Sequence, residues 1–165
     1  MKKLITDNFN KTHKELIALI ERLTEAELNA RPNANTWSIA MVCHHIALVE
    51  FATIKAVRYG LKEEKDTKSE QKDLSIMLDR TKKFSAPKVV EPGGGPFELQ
   101  ELVEMLNNAR DSLNRTLDSM GDQSILEEKS VFHPALGLLP LNQWIEVLPL
   151  HEERHLEQIK DLLGK

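Results

Sequence analysis

Apolar residues recur along this chain at steps of three and four, and strict alternation is scarce, so the pattern predicts helices rather than sheet. Over roughly residues 3 to 23, Phe9, His13, Leu16, Ile20 and Leu23 fall on one face. A short piece, TEAELNARP, opens with Thr24 as a cap and Glu27 three residues later; Pro32 limits it, and it reads as a connector turn. The second long segment runs from Ser38, a good N-cap, to about Tyr59, with Gly60 as its stop. Ile39, Val42, Ile46, Val49 and Val57 make its seam, and Thr53 is the polar residue within it. The third segment, from near Phe97 to Gly121, carries Leu99, Leu102, Leu106, Ala109, Leu113, Leu117 and Met120 on one face. The fourth covers about Leu141 to Leu163, with Leu141, Trp144, Leu148, Ile159 and Leu162 on its stripe, and between Leu148 and Ile159 the stripe positions are His151 and His155.

Roughly 35 residues separate the second and third segments. They include KDLSIMLDRTKKF, with the pattern of a short helix, and then APKVVEPGGGPFE, a loop by its Pro and Gly content. The pattern therefore predicts an all-α fold: a four-helix bundle with a long crossover connection between the second and third helices, whose ligand sites are built from side chains projecting inward. The length of 165 residues suits one domain, taken as residues 1–165. Pro149 either kinks the last helix or divides it; in both cases His151 and His155 share a helical face.

Charge and composition narrow the function. The lysines are dispersed or interleaved with acids, as in LKEEKDTKSEQKD, and the formal charge is −4, so no basic track for nucleic acid exists. The three consecutive glycines follow no predicted strand and lack the lysine of a phosphate loop, which argues against a nucleotide site. No unbroken run of about 18 apolar residues predicts a membrane span, and the start, MKKLITDNFNKTHKEL, lacks the apolar core of a secretory signal. The expectation is a cytoplasmic protein, and the single cysteine, Cys43, agrees with a reducing compartment.

The histidines carry the chemistry. Positions i and i+4 lie about 40° apart around a helix and about 6 Å along it, so His151 and His155 can share one ligand. Burying each ring without a partner costs about 1–3 kcal/mol. A divalent cation would satisfy both, since neutral imidazole binds zinc and a third protein ligand leaves a position open. Of the two histidines in CHHIALVE, His45 lies roughly 80° from its seam's mean direction and His44 nearly opposite, so His45 is the better third ligand and His44 belongs on the surface or against a loop. An i, i+4 pair also arises in ordinary helices, and periodicity alone does not separate a metal site from a hydrogen-bonded core pair. His13 and His133 read as core or hydrogen-bonded residues. Glu50 and Glu152, near the edges of their seams, read as structural or as partners that orient a ligand histidine. Arg154 points away from the stripe's centre, Trp37 and Trp144 read as core anchors, and Cys43 as a buried inert thiol.

Two stretches resemble a known family. In NANTWSIAMVCHHIALVE a Trp-Ser pair opens the second helix and a histidine follows the Trp by eight positions, and HPALGLLPLNQWIEVLPLHEERHLEQI leads from a Pro and Gly loop into His-x-x-x-His followed by Leu-x-Gln-Ile. Both are similar to segments of the DinB-like superfamily. The resemblance implies a metal held by His45, His151 and His155, and a chemistry of hydrolysis or of transfer from a low-molecular-weight thiol such as bacillithiol to a small-molecule substrate. The competing class is a non-catalytic bundle whose metal stabilises the fold or senses metal or stress. Zinc is the first expectation for the cation, with nickel, copper or iron also suited to imidazole, and a homodimer is expected from bundles of this type.

Overall fold

A computed structural model describes residues 2–164. Among the described residues six α-helices follow in order, α1 (Lys2–Ile20), α2 (Glu25–Asn29), α3 (Ile39–Lys62), α4 (Leu99–Asp118), α5 (Ile125–Glu128) and α6 (Leu141–Leu162), with strands β1 (Ser130–His133) and β2 (Gly137–Pro140) between α5 and α6. The four long helices, α1, α3, α4 and α6, form the bundle. Caps act where the sequence places them: the Ser38 hydroxyl accepts the Met41 N–H, and Thr24 and Glu27 close a reciprocal capping box on α2.

The central helix α3 packs on both α4 and α6. It is long and apolar enough to cross a membrane by length and composition, but 61% of its most apolar stretch is buried within the protein, so the bundle itself consumes that apolarity. Gly60 does not end α3. The helix continues to Lys62, and a Cβ on Gly60 would meet Leu141 Cδ2 at 2.8 Å and Val131 Cγ2 at 2.9 Å, so the glycine lets α6 and β1 close against the helix.

The small hairpin was not expected in an otherwise helical chain. Ser130 pairs with Pro140, Val131 with Leu139, Phe132 with Leu138 and His133 with Gly137, and β2 runs directly into α6. Trp144 donates its indole N–H to the Val131 carbonyl at 3.0 Å and packs at a tilt against the His133 ring, which docks the hairpin on the helix. Pro149 lies inside α6 without dividing it.

The connection from α3 to α4 contains only two single 3₁₀ turns, Ser75–Met77 and Lys88–Val90. The expected helix over 72–84 is confined to the first of these. The Asp73 and Asp79 side chains capture the N–H groups of Ser75 and Thr81, and Arg154 takes the carbonyls of Met77, Asp79 and Lys82. These bonds compete with a helical ladder.

The apolar core is divided by a polar layer. One cluster includes Leu16 and Ile20 of α1, Ile39 to Ala47 of α3, Leu102 and Leu106 of α4, and Leu156 and Ile159 of α6; the other joins Phe9, Ile54, Val57, Leu113 and Leu148 with the hairpin. At the boundary each long helix supplies one polar residue: His13, Glu50, Arg110 and Glu152. Arg110, 4% exposed, donates from Nε to Glu50 Oε1 at 2.7 Å, from Nη2 to Glu152 Oε2 at 3.1 Å and from Nη1 to the Phe9 carbonyl at 2.7 Å. Burial raises the Glu50 carboxyl above its ordinary range, and the guanidinium works in the opposite direction.

Candidate metal centre

The structure brings His45 of α3 together with His151 and His155 of α6, with one ring nitrogen from each within 4.8 Å of the others. His151 Nε2 stands 3.1 Å from His45 Nε2 and 3.0 Å from His155 Nε2. The outer nitrogens are held by groups outside the cluster. His45 Nδ1 lies 2.7 Å from the Val90 carbonyl, and His155 Nδ1 lies 2.8 Å from Gln158 Oε1. The Val90 carbonyl can only accept, so His45 Nδ1 carries the proton and His45 Nε2 presents a bare lone pair toward His151.

His151 Nε2 is the shared neighbour of the other two and can serve only one of them with a proton at a time. A divalent cation satisfies all three nitrogens at once. At about 2.0–2.1 Å from each nitrogen and tetrahedral angles, ligand nitrogens lie about 3.3–3.4 Å apart, close to the 3.1 and 3.0 Å that separate His151 Nε2 from His45 and His155 Nε2. The outer hydrogen bonds to Val90 and Gln158 are the kind that orient metal-ligating imidazoles and raise their basicity.

Electrostatics keeps the rings in ligand form. Burial first, then the neighbouring rings and Arg154, hold His151 well below the ordinary imidazole range. Burial and the His45 ring push His155 down to about 3, and burial lowers His45. All three are neutral bases near pH 7. His45 and His151 are buried, His155 is partly exposed, and the Trp37 ring packs on His45 at 5.1 Å between centroids.

The remaining candidates lie elsewhere. His44 faces the connection, where its Nδ1 accepts the Gly93 N–H at 2.9 Å and its ring packs on Phe97. His13 Nε2 donates to Asn107 Oδ1 at 2.8 Å, and His133 Nδ1 accepts the Ala135 N–H. Glu50 and Glu152 turn to Arg110 and are not hydrogen-bonded to a histidine of the cluster, so their contacts support the structural role. Cys43 is buried, and its thiol is pushed up to about 12 by burial and by the negative charge of Glu152. Sequence reading did not pick out Val90, Gln158 or Arg110. Gln158 stands in the Leu-x-Gln-Ile run already noted, and Arg110 falls at helical spacing from Leu106 and Leu113; a backbone carbonyl 45 residues from His45 leaves no trace in sequence.

A cleft of about 700 Å³ opens between α1 and α6, lined by Lys11, Glu15, Glu146, Glu153 and Lys160 among others. None of the three histidines lines it, and its residues occupy the opposite face of α6.

A four-helix bundle with three imidazoles converging from its second and last long helices fits a metal-binding protein. The DinB superfamily model matches residues 8–159, and the chain belongs to that superfamily. It is 28% identical over 157 residues to the uncharacterized protein YuaE of Bacillus subtilis (strain 168), an alignment covering 95% of this chain and 96% of that one. The crystal structure of TT2238, described as a four-helix bundle protein, superimposes with a TM-score of 0.66 at 21% identity, covering 98% of this chain and 99% of the other, which supports the fold.

Proposed function

We propose that His45, His151 and His155 hold a divalent cation, zinc in the first instance, and that the protein is a metal-dependent enzyme acting on a small-molecule substrate as a hydrolase or a thiol transferase. The observation that carries this reading is the convergence of three ring nitrogens: the Val90 carbonyl aims the His45 Nε2 lone pair at His151 Nε2, 3.1 Å away, and His155 Nε2 stands 3.0 Å from the same atom. Three protein ligands leave a coordination position open, which is the catalytic pattern. A bound cation there supplies Lewis acidity, lowering the pKa of a coordinated water or thiol. The chain's own part is to fix the three rings, to cover His45 with Trp37, and to keep the imidazoles unprotonated near neutral pH.

Burial of His45 and His151 favours a second reading, a structural or stress-sensing metal. Assays of thiol conjugation to an electrophile and of ester or amide hydrolysis separate the two, with His151→Ala as the control. Loss of metal and turnover with helicity retained supports the enzyme; unfolding of the variant, with no substrate turned over by the native protein, supports the structural role. A cytoplasmic location and a homodimer complete the proposal, the second testable by sedimentation.

A further inference from the structure

Among the described residues eight large apolar side chains stand exposed, and four of them, Ile76, Leu78, Phe84 and Val89, fall within one stretch of the α3–α4 connection, residues 76–89. Val89, at 78%, is the most exposed of the eight. The stretch reads IMLDRTKKFSAPKV, with Arg80, Lys82, Lys83 and Lys88 against the single acid Asp79, so it is locally basic in a chain whose formal charge is −4.

The stretch is held to the bundle by its backbone, which leaves the side chains to solvent. Arg154 of α6 donates to the carbonyls of Met77, Asp79 and Lys82, and its guanidinium lies over the Phe84 ring at 5.3 Å, so residues 77–84 curl around one cation. Met77 and Val90 are buried and pin the two ends; between them only Ala86 is partly covered. Arg80 pairs with Asp161 at 2.7 Å, and Asp79 accepts the Thr81 N–H, whereas Lys82, Lys83 and Lys88 form no ion pair among the described residues.

We infer that this loop attaches the protein peripherally to an anionic lipid bilayer, the lysines meeting headgroup phosphates and the apolar side chains entering the interface between them. Size and shape favour lipid over a protein partner. A stable protein interface draws about 20–30 residues from each side, more than this loop offers. Its carbonyls are spent on Arg154, which leaves no strand edge for a peptide to extend. A bilayer demands no complementary shape, and lysines and apolar side chains each add to binding there. The inference does not depend on the metal reading.

Sedimentation of the full chain with vesicles of phosphatidylcholine alone, and with vesicles of phosphatidylcholine and phosphatidylglycerol in equal parts, tests it. The protein binds the anionic vesicles and not the neutral ones, and added salt weakens the binding. Lys82→Gln/Lys83→Gln/Lys88→Gln weakens it about a hundredfold, and Leu78→Ser/Phe84→Ser about tenfold, both with native helicity by circular dichroism. Native protein that stays in solution with anionic vesicles, or that binds neutral ones as well, overturns the inference. So does undiminished vesicle binding by the triple lysine variant. Lysine-dependent binding to polyglutamate as tight as to the vesicles, unchanged by Leu78→Ser/Phe84→Ser, overturns it in favour of an acidic protein partner.

Discussion

Replacing Arg110 with Met removes the cation from the centre of the bundle and keeps most of the side chain's volume. Arg110 is 4% exposed and serves Glu50, Glu152 and the Phe9 carbonyl, and Glu50 and Glu152 are each 2% exposed. The substitution leaves two buried carboxylates facing each other with only the His13 ring, 3.9 Å from Glu152, beside them, a change that costs about 3–5 kcal/mol. The cost depends on pH in a defined direction. Glu50 already titrates above its ordinary value through burial, with Arg110 the main influence pulling it down. Without Arg110 its folded pKa rises further above the unfolded value, so the carboxyl stabilises the fold while protonated and destabilises it as pH rises through that folded pKa. Urea denaturation followed by circular dichroism is expected to show a destabilisation of several kcal/mol at pH 7 that shrinks toward pH 5. Adding Glu50→Gln and Glu152→Gln should recover part of the loss at pH 7. A cost below about 1 kcal/mol, or one independent of pH, refutes the polar layer as a coupled charge cluster.

Gly60→Leu forces a side chain into the contact with Leu141 and Val131 and is expected to lower stability by about 1–3 kcal/mol, outweighing the roughly 1 kcal/mol gained in helix propensity, as read from the urea midpoint. Cys43 should not react with a disulfide reagent in the native protein and should react fully once the chain is unfolded, because the thiol is buried and its pKa is raised to about 12. The metal-free protein should lose stability on acidification below about pH 6.5, where the unfolded chain protonates histidines that the folded one keeps neutral. His133, lowered to about 4 mainly by burial, contributes over the window from about 6.5 down to about 4, so His133→Asn should flatten the pH dependence of the urea midpoint there.

The four long helices were legible because each carries a repeating apolar stripe and is 19 or more residues long, and the Thr24 and Ser38 caps because they are local. The hairpin was not. Each strand has four residues, too few for an alternation to register, and the pair is held by Trp144 from another element. Gly60 was misread for a physical reason: a glycine after an apolar run has the form of a helix stop, and only the approach of Leu141 and Val131 reveals a packing role. Of the site, the face shared by His151 and His155 follows from helical spacing and the choice of His45 over His44 from seam geometry, with the family likeness pointing to the same three. The groups that aim the rings lie beyond that pattern, one a loop carbonyl and the other a glutamine one turn on.

Elemental analysis of tag-free protein, native and with His45→Ala, His151→Ala or His155→Ala, tests the central claim most directly. The expected result is one divalent cation per native chain and none in any of the variants, with their helicity retained. A native protein that holds no cation in excess zinc, or a His45→Ala variant that binds it as well as the native chain, contradicts the three-histidine centre.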